Sequence, residues 1–320
     1  GSELCRQIAE QNPAKLILVE RSEPALFAIE QELIGSHRHV DLVASASSVC
    51  DQEAMTRLFA NYQPALVFHA AAHKHVPLME SQPAEAIRNN AIGTSIVAGL
   101  AAGHGTAKFV LVLTDKAVNP TNVMGASKRL AEMLIEQKSL AEADCAFAAV
   151  RFGNVLGSSG SVVPTFRRQI AAGGPLTVTH PEVTRYFMSI PEAVGLILQS
   201  ALQAKGGEIF VLDMGEPVKI VDLARQMIEL SGFKPDEDIK ITFTGLRPGE
   251  KLYEEPIHEM ENVEPTSHSK LRRLRNNRSS RSGDLFTELH SVYREAAGDS
   301  EKLKTWLASR IPEYRGNQKG

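Results

Sequence analysis

Short apolar segments alternate with amphipathic segments along the first half of the chain. The apolar segments have the length of strands buried on both faces, and the segments between them show the three-to-four-residue repeat of helices. Strands separated by helices form a parallel sheet with right-handed crossovers, so the pattern predicts an α/β doubly wound sheet of the nucleotide-binding kind. The predicted strands are 15–19, 40–44, 65–69, 109–113 and 146–151, and the predicted helices start at Ser2 and cover 25–34, 51–61, 85–103, 124–140 and 164–172.

The rhythm changes after Gly173. Prolines and turn residues become frequent, between predicted helices at 193–203 and 220–231 and predicted strands at 208–212 and 240–244. Such a short mixed segment is typical of a lid that closes one side of a cleft. We therefore expect a nucleotide-binding domain over 1–172 and a smaller mixed α/β part, mainly substrate-binding, over 173–262.

The remaining residues, 263–320, are expected to form a basic linker and C-terminal helices. Residues 268–281 carry seven histidines, lysines and arginines among serines and asparagines, with little hydrophobic periodicity. This composition favours a solvated or flexible linker over a phosphate- or partner-binding patch. Helices are predicted near 284–294 and around Trp306.

A sheet of this kind normally begins with a strand and a glycine-rich turn, which holds a pyrophosphate at a helix N-terminus. Neither precedes the helix predicted at Ser2, although Gly1 could be the last glycine of that turn; alternatively, Gly1 and Ser2 are a cloning remnant. The missing strand would be central, so we expect its two neighbours to have unpaired edges. The chain is interpreted as a fragment of a longer protein.

Composition narrows the function classes. With 320 residues, 43% hydrophobic and 23% charged, the chain can bury a large core, which excludes a disordered protein or a disulfide scaffold. A net charge of −3 gives no general attraction for nucleic acid. Cys5, Cys50 and Cys145 form no CxxC pair, so we predict no metal site and a reducing compartment.

No apolar run approaches the roughly 20 residues that span a bilayer, and the chain opens with charged residues. The chain as written is therefore expected to be soluble and cytoplasmic.

Glu20 ends the strand predicted at 15–19. An acid at the end of the second strand of such a sheet can accept both ribose hydroxyls of an adenosine, which favours NAD as the cofactor. Arg21 beside it keeps NADP as an alternative. A solvent-facing acid is the other interpretation of Glu20.

Three small residues, Ala70, Ala71 and Ala72, follow the strand predicted at 65–69. Small side chains at the carboxyl end of a strand let the backbone approach a ligand, so we expect contact with the cofactor. Lys74 lies just beyond them, either as a ligand contact or in a solvated loop.

Thr114, Asp115 and Lys116 follow the strand predicted at 109–113, at the edge where this architecture binds ligands. A hydroxyl, an acid and a base side by side can bind a substrate oxygen, protonate a leaving group and remove a proton. To act as a base, the lysine needs a lowered pKa, which burial beside another cation would provide. The alternative is an Asx-turn with a surface ion pair.

Met124 and Lys128 are one turn apart on the helix predicted at 124–140, so they share a face that points at the same strand ends. Lys128 could hold a ribose hydroxyl and lower nearby pKa values; the alternative is an exposed helix lysine.

Together these residues resemble the extended short-chain dehydrogenase/reductases, specifically the UDP-N-acetylglucosamine 4,6-dehydratases of bacterial surface-polysaccharide synthesis. The resemblance reaches about residue 260 and is carried by two specific segments, Thr114 to Arg129 and Arg247 to Glu255. It implies a Rossmann-like fold, and a membrane region in the longer members that this chain would lack. The full-length protein would then be anchored at the bacterial inner membrane, with this part facing the cytoplasm.

The resemblance implies a redox-neutral reaction with tightly held NAD. Hydride leaves C4 of the sugar, the resulting ketone acidifies the C5 proton, water is lost across C5 and C6, and hydride returns to C6. The product is a UDP-4-keto-6-deoxy-N-acetylhexosamine. By resemblance, Thr114 bonds the C4 oxygen, Asp115 protonates the departing hydroxyl and Lys116 removes the C5 proton, while Lys128 binds the cofactor ribose.

Two positions depart from the wider family. The tyrosine base four residues before the ribose lysine is replaced by Met124, whose thioether cannot take a proton. We hypothesise that Asp115 accepts the C4 hydroxyl proton, directly or through a water. Ser48 stands before Val49 where relatives often place an acid against the adenine, and Asp51 is expected to cap the next helix instead.

The resemblance also implies the substrate residues. Asn154 matches a residue near the sugar diphosphate, Arg185 and Arg247 match diphosphate-side cations, and Glu250 matches a residue near the uridine ribose. Guanidinium groups suit phosphate oxygens. Taken alone, Arg185 would more often be a surface ion-pair residue.

Two other functions remain open. A UDP-sugar 4-epimerase uses the same NAD, but it needs no base at C5, which speaks for the dehydratase. A non-catalytic nucleotide-binding regulator is motivated by Met124 and the missing glycine turn. A homo-oligomer is expected through helices 85–103 and 124–140, as family members usually associate there.

Overall fold

The computed structural model describes residues 1–142, 144–158, 160–258, 261–274 and 283–316. Its centre is a six-stranded sheet with four parallel strands followed by two antiparallel ones, so the α/β doubly wound architecture is confirmed. The helices are α1 Ser2–Ala9, α2 Glu23–Ser36, α3 Gln52–Tyr62, α4 Val76–Ser81, α5 Pro83–Ile87, α6 Gly93–Gly103, α7 Val123–Ala141, α8 Val162–Ala171, α9 Ile190–Gln203, α10 Ile220–Leu230, α11 Leu285–Ala296 and α12 Ser300–Arg310. The strands are β1 Lys15–Val19, β2 Asp41–Ser45, β3 Leu66–His69, β4 Lys108–Val112, β5 Ala146–Arg151, β6 Asn154–Val155, β7 Leu176–Val178, β8 Thr184–Arg185, β9 Phe187–Met188, β10 Glu208–Leu212, β11 Val218–Lys219, β12 Ile241–Phe243, β13 Val263–Pro265 and β14 Leu271–Leu274.

The central sheet has the strand order β3-β4-β5-β10-β14-β13. Its middle strands β4, β5 and β10 are apolar apart from one charged residue at an end of each, because helices cover both faces. On one face, Met55 of α3, Val97 of α6 and Ala131 of α7 belong to one hydrophobic cluster. On the other face, Leu4 of α1 and Ile197 of α9 belong to a second cluster. The sheet therefore presents only its ends to ligands.

Strands β1 and β2 form a separate parallel pair in register from Lys15 with Asp41 to Val19 with Ser45. Among the described residues, no ladder joins β1 to β3. Strands β1 and β3 therefore each have an unpaired edge among the described residues, as the sequence predicted.

The lid has its own core. Strands β7 and β12 pair in parallel, and α8 and α10 pack on them through Phe166, Leu176 and Ile228. The short strand pairs β6–β9 and β8–β11 connect the lid to the end of the central sheet. These short strands were not predicted, because two-residue pairings leave no periodic signal.

The prediction of a solvated linker at 268–281 is wrong for its first part. Strand β14 pairs antiparallel with β10, and Leu271 and Leu274 are buried in the clusters on opposite faces of the sheet. Arg272 and Arg273 are tied to acids, with ion pairs of 2.9 Å to Asp213 and 2.9 Å to Glu264. Residues 275–281 of the predicted linker lie outside the described residues.

The helix predicted at 85–103 is interrupted. It begins as α5 and passes through a π-helical turn, Arg88–Ile92, before α6. In that turn Asn90 is 1% exposed and bridges two elements: its Oδ1 accepts from the His73 amide at 2.7 Å, and its Nδ2 donates to Ser127 Oγ at 2.9 Å. The wider turn thus joins the loop after β3 to α7.

Helices α11 and α12 pack across α5 and α7, with Leu289, Leu303 and Leu307 buried among the apolar residues of those helices. No helix in the described ranges has both the length and the hydrophobicity needed to cross a membrane.

A buried ion network links β5, α7 and the segment before β13. Arg151, 1% exposed at the end of β5, donates to both carboxylate oxygens of Glu132 at 2.6 Å. It also donates to Glu261 at 2.8 and 3.0 Å. Arg129 joins the network from α7 and pairs with Glu313 at 2.8 Å. Each buried charge has an opposite partner, which is the condition for keeping charges in a core.

We expect Arg151→Gln to lower the free energy of unfolding by about 3–5 kcal/mol, because it leaves Glu132 buried without its main partner. The matched control is Arg57→Gln, which breaks an exposed pair with Glu53 at 3.7 Å and should cost less than about 1 kcal/mol. Urea denaturation of both variants measures the difference, and equal losses would contradict this role of the network.

Candidate active site

A cleft of about 550 Å³ lies at the carboxyl ends of the parallel strands, between the sheet and the lid. It brings together residues that are far apart in the sequence. The predicted site residues in its wall are Ala70, Ala72, Lys74, Thr114, Lys116, Met124, Lys128, Asn154, Arg185, Arg247 and Glu250. The others, Glu20, Arg21, Ser48, Val49, Ala71 and Asp115, are not among the described residues of that wall.

The turn after β4 is fixed by its contact with α7. Residues Asp115–Ala117 form a short 3₁₀ turn, with the Thr114 hydroxyl accepting from the Lys116 amide. A Cβ at Gly125 would overlap the Lys116 carbonyl oxygen, so only glycine lets α7 approach the turn this closely. The helix starts at the same place, because Asn122 Oδ1 accepts from the Gly125 amide at 2.8 Å.

Asp115 is 1% exposed, which rules out the surface ion pair considered from the sequence. Its Oδ1 accepts from Thr114 Oγ1 at 2.9 Å and from Lys116 Nζ at 2.9 Å. Its Oδ2 is buried without a hydrogen-bond partner in the described chain. A Cβ at Gly153 would lie 3.2 Å from that oxygen, so a glycine keeps space beside it.

Lys116 reaches the cleft with a side chain that is 21% exposed. Besides Asp115, its Nζ contacts Asn154 Oδ1 at 3.2 Å and Glu254 Oε1 at 3.5 Å. Burial opposes the charge, but the Asp115 and Glu254 carboxylates outweigh it and raise the pKa of Lys116. The expectation of a lowered pKa is therefore wrong for the free chain, because two acids rather than a cation dominate the surroundings.

Glu254 was not assigned a role from the sequence, although it lies within one of the two specific segments. It is 7% exposed, faces the cleft, and has its Oε1 3.7 Å from Arg185 Nε. Burial and the neighbouring Asp115, against the pull of Lys116, raise the pKa of Glu254. The sequence signal was its place among the charged residues of one turn-rich segment, which does not separate it from Glu255.

Met124 and Lys128 lie on the face of α7 that forms the cleft wall, 2% and 5% exposed. Lys128 Nζ donates to the Val112 carbonyl oxygen at 2.9 Å, at the end of β4. Burial, only partly offset by Glu132, lowers the pKa of Lys128 to about 8. The alternative of an exposed helix lysine is therefore wrong.

These residues fit the nicotinamide ribose of a dinucleotide. The Val112 carbonyl accounts for one of the three N–H donors of Lys128, and the others can meet ribose hydroxyls. Ala70 and Ala72 leave the adjoining wall open to a ring. On the adenosine side, Glu20 is exposed at the end of β1 and accepts from the Ser22 amide at 2.8 Å.

The remaining cofactor candidates follow the carboxyl ends of β1 and β2. Arg21 is 3.5 Å from Glu85, an acid that competes with any ligand phosphate. Ser48 Oγ accepts from the Cys50 amide at 3.2 Å, and Val49 packs where a Cβ on Gly93 would stand. Asp51 caps α3 by accepting from the Ala54 amide at 2.9 Å, as predicted.

The lid wall is a connected set of hydrogen bonds. Arg185 is only 8% exposed, so the surface interpretation is wrong, and it donates to the Lys251 carbonyl at 2.9 Å and to Glu250 at 3.3 Å. Glu250 in turn accepts from Thr179 at 3.1 Å and from the Arg247 amide at 3.2 Å. Glu250 therefore joins Arg185 and the backbone of Arg247 within the lid wall of the cleft.

The lid segment is anchored to the start of α7 by Gly249. Its φ of +75° is one that glycine adopts without strain, and a Cβ there would lie 2.7 Å from Asn122 Cβ. Its carbonyl accepts from Thr121 at 2.8 Å and from Asn122 at 2.9 Å. The acids and cations of the lid are thus held at a fixed distance from the turn 115–117.

Comparison with known proteins identifies the family of the chain. The family model described as "Polysaccharide biosynthesis protein" matches residues 1–276. The capsular polysaccharide biosynthesis protein CapD of Staphylococcus aureus is 54% identical over 262 residues, which are 82% of this chain and 44% of CapD. The chain therefore spans less than half the length of that relative.

A UDP-glucose 4-epimerase of Rickettsia akari is 41% identical over 191 residues, covering 59% of this chain and 54% of the epimerase. The X-ray structure of Pen from Bacillus thuringiensis superposes with a TM-score of 0.79 at 28% identity, covering 92% of this chain and 94% of Pen. Solved structures with this fold include nucleotide-sugar dehydratases and epimerases, and several hold NAD. The chain belongs to the polysaccharide biosynthesis protein family and has a Rossmann-like α/β fold, which solved nucleotide-sugar dehydratases and epimerases share.

Proposed function

We propose that the chain catalyses the NAD-dependent 4,6-dehydration of UDP-N-acetylglucosamine to a UDP-4-keto-6-deoxy-N-acetylhexosamine, for the synthesis of a bacterial surface polysaccharide. The observation that carries the proposal is the contact at 2.9 Å between Lys116, which lies in the cleft wall with Thr114, and the buried Asp115 behind that wall. A base and an acid together are what removal of the C5 proton and loss of the C6 hydroxyl require.

The bound NAD would accept hydride from C4 and return it to C6. The chain's own residues then have three tasks. Thr114 orients the C4 oxygen, Asp115 protonates the departing C6 hydroxyl, and Lys116 takes the C5 proton and later returns one to C5. Lys128 holds the cofactor ribose from the facing helix.

Met124 leaves the C4 hydroxyl proton without the tyrosine acceptor of the wider family. We propose that Asp115 takes this proton. The bond of 2.9 Å from Thr114 Oγ1 to Asp115 Oδ1 supports a route, because a proton given to the threonine oxygen can pass on to the carboxylate. Asp115 then holds the proton that the C6 hydroxyl needs, so a single acid can serve both steps.

For the nucleotide, we propose that Arg185 and Arg247 neutralise the diphosphate, with Lys74 and Asn154 on the sugar side and Glu250 near the uridine ribose. All five belong to the cleft wall. Burial and the charge of Lys116 lower the pKa of Lys74, which fits a cation that awaits an anionic partner. NAD is preferred to NADP, since Glu20 would repel a 2′-phosphate.

The nearest rival is 4-epimerisation of a UDP-sugar, favoured by the similarity to the Rickettsia epimerase. It leaves Lys116 without a task, because inversion at C4 breaks no C5–H bond. A non-catalytic regulator would bind nucleotide without turnover. We also propose a homo-oligomer, and anchoring of the full-length protein at a membrane through a region outside this chain, with this part in the cytoplasm.

The first test is incubation of the chain with UDP-N-acetylglucosamine and excess NAD, followed by NMR. We expect a C6 methyl doublet together with a C4 ketone or its hydrate. Formation of UDP-N-acetylgalactosamine without a methyl signal would instead establish the epimerase. Cofactor binding with no turnover would favour the regulator.

Asp115→Asn should slow hydride transfer to NAD by about 10²–10⁴-fold in a single turnover, because the amide cannot accept the C4 hydroxyl proton. Absorbance of the reduced nicotinamide follows this step directly. Lys116→Met serves as the matched control, since it removes the C5 base and should still permit hydride transfer. Full-rate transfer in Asp115→Asn would sink the proposed role.

Affinity for NAD should fall as the pH rises through about 8. Lys128 carries its charge below its pKa of about 8 and loses it above that value, so the hydrogen bonds to the ribose weaken from charged to neutral, by about tenfold in Kd. Calorimetric titration with NAD at pH 7 and pH 9 measures the change. In Lys128→Met the affinity should be low and show little pH dependence; a wild-type Kd that stays constant would contradict this assignment.

A further inference from the structure

The ammonium of Lys116 faces two buried carboxylates, one more than the dehydration scheme uses. Asp115 Oδ1 lies 2.9 Å away and Glu254 Oε1 lies 3.5 Å away. The Glu254 side chain is 4% exposed, and its Oε2 has no hydrogen-bond partner in the described chain. A buried carboxylate oxygen without a partner is costly as an anion, and protonation relieves that cost.

The other charged groups around this pair are known. Arg185 approaches Glu254 at 3.7 Å from the lid, and Lys251 acts on it from the same segment. Lys251 itself donates to the Val118 carbonyl at 2.8 Å. Lys74 faces Lys116 from the loop after β3. These cations stabilise the negative charge of the acids in the free chain. A bound diphosphate would compete with the acids for the same cations.

The proposed reaction needs Lys116 as a neutral amine, yet the free chain holds it as an ammonium. Asp115 is a poor destination for the surplus proton, because its Oδ1 already accepts two hydrogen bonds and the acid must serve the C4 and C6 oxygens. Like Asp115 Oδ2, Glu254 Oε2 has no hydrogen-bond partner in the described chain, but the scheme gives Glu254 no other task.

We propose that Glu254 takes the proton of the Lys116 ammonium when substrate fills the cleft, and so supplies the neutral amine that removes the C5 proton. One N–H bond breaks and one O–H bond forms on Glu254. The amine takes the C5 proton, returns a proton to C5 at the end of the reaction, and recovers its own proton from Glu254. Glu254 is thus a positioning residue that acts through Lys116, and its role rests on the proposed dehydratase function.

The first experiment measures the charge of Lys116 without substrate. The chain is acetylated briefly with acetic anhydride across a pH series, with a lysine peptide as internal standard, and Lys116 is quantified by mass spectrometry. In the wild type, Lys116 should react at a higher pH than the peptide. In Glu254→Gln the midpoint should fall by about 1–3 pH units, since a facing negative charge is lost.

The matched control is Glu255→Gln, which removes the same charge from the next residue. Glu255 is exposed and bonded to Asn119 at 2.7 Å, away from Lys116. In Glu255→Gln, the pH midpoint of Lys116 acetylation should equal that of the wild type. A midpoint of Lys116 acetylation that is the same in Glu254→Gln and in the wild type would overturn the proposal. A wild-type midpoint equal to that of the peptide would also overturn it, whether or not the variant folds.

The second experiment follows turnover of UDP-N-acetylglucosamine with excess NAD. The wild type should vary little between pH 7 and 9, because the proton moves internally. In Glu254→Gln, Lys116 must lose its proton to solvent. The rate should therefore be at least about tenfold lower than that of the wild type at pH 7 and rise about tenfold per pH unit. A merely structural role would lower the rate by the same factor at every pH, which would contradict the proposal.

Glu254→Asp keeps a carboxylate near the ammonium and should restore the flat pH profile at a reduced rate. A profile like that of Glu254→Gln would count against proton storage. If the wild type does not turn over the substrate, the proposed function fails, while the labelling midpoints still decide whether Glu254 controls the charge of Lys116.

Discussion

The elements around the candidate active-site cleft are oriented by the buried pair of Arg151 and Glu132. Arg151 ends β5, two residues before Gly153, and its guanidinium is held on both edges by carboxylates. Through Glu132 it fixes α7, and through Glu261 it fixes the chain as it leaves the lid. One planar group therefore orients β5, α7 and the segment that leaves the lid, and its bidentate geometry tolerates little rotation.

The cleft holds a second group of buried charges. Like Arg151 in the core, the ammonium of Lys116 lies between two acids, Asp115 and Glu254. Both acids have a buried oxygen without a hydrogen bond in the described chain. Unsatisfied polar atoms are rare in proteins and cost stability. Their concentration around one lysine is the feature on which the proposed proton transfers rest.

The sequence predicted most of what is regular. Continuous apolar runs identified strands such as β5 with correct bounds, and the spacing of Met124 and Lys128 placed both on the cleft face. It failed where tertiary pairing decides: β14 carries consecutive arginines and no strand pattern, but its ladder with β10 buries Leu271. Glu254 was missed for a similar reason, because burial of an acid beside Lys116 depends on a lid contact that no local pattern records.

The π-helical turn at Arg88–Ile92 sets the direction in which the neighbouring side chains leave the helix. Such a turn is equivalent to one residue inserted into an α-helix, and each residue corresponds to about 100° of rotation. Deletion of one residue there would restore regular winding while turning Asn90 away from its partners on the His73 loop and on Ser127. The chain therefore keeps a less compact helix so that one amide side chain can couple the wall after β3 to the helix that carries Lys128.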